Sequence, residues 1–543
     1  LSTSSTGTTS FGVTTLTGAL TANSVGDITQ TGAIITGAPS SISSSTGDIT
    51  LNNAGNSFFG ATSLSGVDVS VAAIGNLEAL IAATGDASVT AAGNLIVGGS
   101  AVNLSTSSAG TTSFGATTLT GGLNTTSVGD ITQTGAITTG APSSITSSTG
   151  DITLTNPNNS FFGATTLSGV DVTVAAAGNL NALIAATGDA SVTSAGNLTV
   201  GGSATNLATS SAGTTSFGTT TLTGALTTTS VGDITQTGAI TTGAPSTITS
   251  STGDITLNNA GNSFFGATSL VASLGDLGFA GSVTGNLSTS SAGTTSFGVT
   301  TLTGALTATS VGDITQTGAI STGAPSSITS TTGDITLNNA GNSFFGATSF
   351  SGQGVSVAAA GNLEALIAAT GNASVTSAGN LIVGGTAVNL ATSSGGTTSF
   401  GATTLTGGLT TTSVGDITQT GAIVTGAPSS ITSTTGDITL TNPGNSFFGA
   451  TSFAGVDVTV AAAGNLTALI AATGDASVTS AGNLTVGGSA INLTTSSAGT
   501  TSFGVTTLAG ALTANSVGDI TQTGAITTGA PSSITSSTGD ITL

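Results

Sequence analysis

The sequence predicts an all-β fold, a parallel β-solenoid with coils of about 20 residues. Three observations predict it: a long internal repeat, glycine punctuation at short and regular steps, and β-branched runs too short for a helix. The phenylalanines of "TTSFG", Phe11, Phe114, Phe217, Phe297, Phe400 and Phe503, recur at intervals of 103, 103, 80, 103 and 103. A fixed period of this kind is the signature of a stacked repeat architecture. Inside one super-repeat, Gly110, Gly129, Gly150, Gly169, Gly188 and Gly213 open similar segments at steps of 19, 21, 19, 19 and 25. That division gives five coils per 103-residue super-repeat. Gly and Thr interrupt every apolar run before a 3.6-residue stripe forms, which argues against helices. The abundant Ile, Val and Thr favour strands.

One coil can be read off "GDITQTGAITTGAPSSITSSTGDITL" (residues 129–154). Its large apolar residues are Ile131, Ile137 and Ile145. Three short strands that each point one of them inward make a three-sided coil. Gly-Asp, Thr-Gly-Ala-Pro and Ser-Thr-Gly form the corners, and Pro142 stands where no ladder N–H is needed. The stretch "GNLEALIAATG" (residues 75–85) is locally helix-like, yet Gly85 keeps the 19-residue step from Gly66, which places it in a coil. Residues 1–543 form one continuous array, with an irregular, shortened unit at about residues 270–287. The array opens and closes in mid-unit, so it is expected to be an excerpt of a longer chain. Twenty-seven opening glycines at about 4.8 Å per coil correspond to a rod of roughly 130 Å.

Composition removes several functions. The chain has no Lys, Arg, His, Cys, Met, Trp or Tyr, and its 21 acids give a formal charge of −21. Without cations it cannot neutralise phosphates, which excludes nucleic-acid binding and disfavours anionic membranes. Without Cys it has no disulfide and no thiolate metal site. No apolar run approaches the roughly 18 residues of a spanning helix. No enzyme is expected: no His, Lys or Cys is present to activate a nucleophile. Paired carboxylates alone serve glycosidases, but these acids recur in every super-repeat, as architecture does.

Two residue sets stand out as candidate sites. Asp130, Asp151, Asp171 and Asp189 follow or nearly follow successive opening glycines, and the next coil has Thr214. Stacked about 5 Å apart, neighbouring carboxylates repel by about 0.8 kcal/mol in water. The favoured reading is a turn residue whose side chain accepts a backbone N–H two residues on. The sharper alternative is a ladder for Ca²⁺ or other hard cations, with no cofactor required for folding. The second set is the pairs Phe58 and Phe59, Phe161 and Phe162, Phe264 and Phe265, Phe344 and Phe345, and Phe447 and Phe448. Adjacent strand residues point to opposite faces. Either each pair sits at a bend with both rings partly covered, or one ring is an exposed contact repeated every five coils, about 24 Å.

"GNLTVGGSATNL" (residues 196–207), "AAGNLTALIAATGDASVTSAGNLTV" (residues 462–486) and the recurrent "GDITL" resemble the repeats of filamentous-haemagglutinin-type adhesins. These are giant bacterial surface proteins of the two-partner secretion class. The resemblance spans essentially the whole chain and implies a right-handed β-helix shaft, extracellular at the cell surface and often part of an adhesin. The expected function is an extracellular structural fibre or sheath that self-associates through repeated surfaces. The alternative is an adhesin stalk presenting a binding tip outside this stretch. The expected partners are further copies of the chain and cell-surface or matrix components. Lack of Lys and Arg removes trypsin-type cleavage sites, and lack of Cys, Met, Trp and Tyr removes easily oxidised side chains. Both suit long exposure outside a cell.

Overall fold

The computed structural model describes residues 1–543. The chain consists of short parallel strands and turns, with no helix; none is therefore long and apolar enough to cross a membrane. It is an all-β parallel solenoid of about 28 turns, each of about 19 residues. Two compact units divide it, Leu1–Gly275 and Asp276–Leu543. The division falls inside the irregular stretch singled out in the sequence, between the strands Thr268–Ala272 and Leu277–Thr284.

In the first unit most turns give one strand to each of two sheets. Ala61–Gly66, Leu77–Ala83, Leu95–Ala101 and Thr112–Leu119 succeed one another in the first sheet. Val69–Ala73, Ala87–Ala91, Leu104–Ser108 and Leu123–Ser127 do so in the second. Burial alternates along most strands: Leu77, Ala79, Ile81 and Ala83 are buried and the residues between them are not. This is the period of two that pleated strands impose.

The columns of paired residues sharpen the coil count. Ile28, Ile49, Val69, Ala87, Leu104 and Leu123 form one column in the second sheet, at steps of 17 to 21 residues. Ile131, the copy of Ile28 one super-repeat on, stands instead in the first sheet, paired with Thr112. Its own copy, Ile234, is back in the second sheet, paired with Thr215. A 103-residue super-repeat therefore winds five and a half turns rather than five, and successive copies present the same sequence on alternate sides. The half turn is hidden in the 25-residue step from Gly188 to Gly213. Gly188 precedes a strand of the first sheet, Ala190–Ser194, and Gly213 precedes a strand of the second, Thr215–Leu222. The second unit repeats the pattern by itself. Ile314 heads a column through Ile335, Val355, Ala373, Leu390 and Leu409. Its copy Ile417 pairs in the other sheet.

Three strands per coil occur only in part of each super-repeat. Ile131–Gln133, Ile137–Thr139 and Ser143–Ser147 make one such turn, and Ile131, Ile137 and Ile145 are all fully buried, as read from the sequence. Elsewhere a turn has two strands, such as Leu180–Ala186 and Ala190–Ser194. The long side grows by a register shift between Val97 and Gly99, where the seven-residue Leu95–Ala101 meets the eight-residue Thr112–Leu119. One turn later that side splits into Ile131–Gln133 and Ile137–Thr139.

A buried amide pair holds the split. Asn159, fully buried, accepts from Ile137 N–H at 2.9 Å and from Gln133 Nε2 at 2.8 Å. Its Nδ2 donates to Gln133 Oε1 at 2.8 Å and to the carbonyls of Leu154 and Ala175 at 3.1 Å each. Gln30 with Asn56, Gln316 with Asn342, and Gln419 with Asn445 repeat the arrangement. A kink in a parallel ladder leaves backbone groups unpaired, and a buried unpaired group costs about 1–3 kcal/mol. The amide pair satisfies them in place of the ladder. Inside the coil, hydroxyls pair across turns in the same way, as in Ser108 with Ser127 at 2.9 Å and Thr106 with Thr125 at 3.1 Å.

Candidate functional site

The aspartates stack at one corner as expected, but their side chains reach along the rod and not along the local chain. Oδ1 of Asp130 accepts the backbone N–H of Asp151 at 3.0 Å, Asp151 accepts that of Asp171 at 3.0 Å, and Asp171 that of Asp189 at 2.7 Å. Each bond joins one turn to the next, so the expected bond to an N–H two residues on is replaced. The reason is the ladder: the residues two on, Thr132 and Thr153, lie inside strands and pair in register with Ser113 and Thr173. The Asp N–H, left over at the corner, finds the carboxylate of the preceding turn directly beneath it.

This stacking also explains the glycine before Asp151. A Cβ on Gly150 would lie 2.5 Å from Asp130 Oδ1 and equally close to the carbonyl carbon of Gly129. At Asp171 the preceding residue is Val170, and the Asp151 carboxylate still reaches the N–H above it.

The ladder does not continue to Thr214, as the spacing suggested. Its fifth rung is Asn206, whose N–H and Nδ2 both donate to Asp189 Oδ1, at 3.1 and 2.8 Å. Asn206 Oδ1 then accepts Ala225 N–H at 2.8 Å. Thr214 belongs to the opposite corner, on Asn197. Asn103, Asn389 and Asn492 occupy the same rung in other copies. A neutral amide thus closes these runs, whereas Asp276 is followed by Thr294, whose N–H it accepts at 2.6 Å. In one copy the two upper acids are replaced by Gly354 and Asn372: Asp334 still accepts Gly354 N–H at 2.8 Å, Gly354 offers no side-chain acceptor in turn, and the ladder resumes where Asn372 accepts from Asn389.

Each carboxylate in the run from Asp130 to Asp189 holds its neighbour through Oδ1. No three acidic groups converge on a point that would hold a metal ion. Beside the corner lies a shallow groove, about 870 Å³ alongside Asp48, Asp68 and Asp86, floored by Ser70, Ser88 and Ser105. It has no aromatic platform and no base.

Of each phenylalanine pair, one ring is inside and one outside. Phe58, Phe161, Phe264, Phe344 and Phe447 are buried, while Phe59, Phe162, Phe265, Phe345 and Phe448 are 55–69% exposed. Phe344 and Phe447 pack edge-to-face on Phe350 and Phe453 at 5.7 and 5.6 Å. The following glycine makes the corner: Gly163 has φ of 75°, and a Cβ there would press on the Pro142 ring at 3.0 Å. On the next turn an exposed leucine faces outward from the sheet, paired with the residue four positions past the ring: Leu80, Leu183, Leu366 and Leu469 in four copies.

The half-turn super-repeat sets these two features against each other. Along one corner of the first unit the rungs are Asp27, Asp48, Asp68, Asp86, Asn103 and Gly122. Pro142 and Gly163 follow, then Asn179, Asn197 and Thr214, and acids resume at Asp233 and Asp254. Phe162 projects from the middle of that uncharged run. Half a turn away on either side of Phe162 in the chain are Asp151 and Asp171, on the other corner. Wherever one corner is acidic, the opposite corner is neutral and carries an exposed ring.

A family model described as "Repeats of unknown function (DUF5649)" matches residues 1–65, 99–168, 204–271, 284–351, 385–454 and 490–543. The matched segments contain the Gln–Asn pairs, the Phe-Phe-Gly corners and the Gly-Asp corners at Asp27, Asp48, Asp130 and Asp151, but not those at Asp86 and Asp189. No curated protein and no solved structure matches the chain.

Proposed function

Because the chain belongs to this family of repeats of unknown function, we propose that its own role is mechanical: an extracellular structural fibre or sheath component of a bacterial cell surface. A repetitive β-solenoid is typically a structural element. The observation that carries the reading is the unbroken ladder within each unit, in which backbone, carboxylate and amide bonds all join one turn to the next. Load along the stack of turns is shared by many parallel bonds. The likeness to filamentous-haemagglutinin-type repeats and the absence of protease-sensitive bases and oxidisable side chains support a place outside the cell. The chain acts without a catalytic step or a cofactor, and copies associate with one another.

Electron microscopy of the native material, with antibody labelling of intact cells, tests this. Labelled fibres or an ordered layer at the surface are expected. Isolated thin rods would mark a stalk instead, and label confined to the cytoplasm would overturn the reading.

A further inference from the structure

The exposed rings define who binds them. We propose that the chain carries two self-association surfaces, one on each side of the coil, made by the same residues in alternating super-repeats. Copies then stack side by side, in parallel and in register, into a single layer. This deepens the self-associating fibre proposed above and rests on it.

In the first unit, Phe59 and Phe265 each stand just before a strand of the first sheet, Ala61–Gly66 and Thr268–Ala272. Phe162 stands before a strand of the second, Ala164–Gly169. Rings on the same side are eleven turns apart, about 53 Å, and rings on opposite sides five and a half turns, about 26 Å. In the second unit Phe345 and Phe448 likewise precede strands of different sheets.

Charge restricts where another molecule can approach. The chain has 21 acids and no base, so two copies repel wherever their acidic corners meet. The seven rungs from Asn103 to Thr214 around Phe162 carry no charge and extend about 34 Å. Around Phe59 and Phe345 one acid each, Glu78 and Glu364, pairs in register with the alanine that opens the next strand.

Area then selects the partner. A ring two-thirds exposed offers about 150 Å², far below the ~800 Å² per side of a stable interface. One patch alone does not hold a partner, whereas several engaged together do, through their high effective concentration. Intervals of 103, 103, 80 and 103 residues between rings are matched at every patch only by another copy of this chain in register. With surfaces on both sides, each copy binds two neighbours and growth is planar. In-register pairing also sets acidic runs opposite each other, so association strengthens as salt screens them.

The absence of cysteine permits a direct test on the full chain. Assembly of the unaltered protein is first followed by light scattering and negative-stain microscopy from low salt to about 0.15 M NaCl. Single-layer sheets that grow with salt are expected. Two double variants are then oxidised after assembly. F59C/F162C places thiols on opposite sides and should give a ladder of covalent multimers. F59C/F265C places them on one side and should stop at covalent dimers. Unchanged circular dichroism verifies that both variants fold. If the unaltered protein assembles but the two variants give the same products, the two-sided arrangement is wrong and the fibre reading survives. If the protein stays monomeric at every salt concentration, both fail.

Discussion

Replacing Asn159 by Leu keeps the number and branching of the heavy atoms of a fully buried side chain and removes every bond it makes. The structure assigns five to it: two accepted, from Ile137 N–H and Gln133 Nε2, and three donated, to Gln133 Oε1 and the carbonyls of Leu154 and Ala175. Ile137 is fully buried, so its N–H is orphaned at a cost of about 1–3 kcal/mol, and the other bonds are worth about 1 kcal/mol each. The apolar leucine offsets part of this, about 1.5–3 kcal/mol. The net local cost is about 4 kcal/mol, close to a thousandfold in the opening equilibrium. A solenoid couples each turn to its neighbours only, so the loss stays local. Hydrogen exchange followed by mass spectrometry reads it, because peptides over residues 131–161 and 234–264 differ in mass. Exchange in the first should accelerate by two to three orders of magnitude while the second, with Asn262 intact, is unchanged. Equal protection in both would show that the amide pair carries no load. Loss of protection along the whole chain would refute the nearest-neighbour account.

Three further outcomes follow from the same geometry. Thr62, Thr165, Thr348 and Thr451 are buried with hydroxyls that have no partner; changing all four to Val should raise the thermal midpoint, by about 1 kcal/mol of stability per site, whereas a fall would mean the hydroxyls are satisfied. Asp151→Asn keeps the acceptor for Asp171 N–H and removes one charge from the corner. Its melting temperature should therefore depend less on NaCl than that of the unaltered chain, and Asp151→Ala should destabilise by about 0.5–1.5 kcal/mol at any salt. Equal salt slopes for Asp151→Asn and the unaltered chain would disprove stacking of the carboxylates. Gly163→Ala, at φ of 75° against Pro142, should cost about 1–2 kcal/mol by thermal melting. An unaffected midpoint would contradict the corner geometry.

Much of the architecture is legible in the residues alone. Strand is the only regular structure that runs of three to five β-branched residues between glycines can build. Ile131, Ile137 and Ile145 had to turn inward, because no other large apolar side chains exist in that coil. The stacking of Asp130, Asp151, Asp171 and Asp189 follows from their places directly after an opening glycine or, for Asp171, one residue later.

Other features depend on how a turn closes in three dimensions. Glycine spacing counts corners but does not say which of the two corners a glycine occupies, so the half turn in the 25-residue step was invisible. Only the register of paired strands, including the shift between Val97 and Gly99, fixes it. The acceptor role of Asp was misplaced because a sequence shows the N–H two residues away and not the one stacked a turn above. Gln133 and Asn159, 26 residues apart, carry no local signal that they meet; the kink brings them together. Which ring of each phenylalanine pair is buried was decided by strand register, which pairs Phe161 with the buried Thr139. Composition and period thus determined that the chain is an acidic β-stack. Closure of each turn, which sums bulges and corners along the whole coil, decided on which side every repeated feature faces.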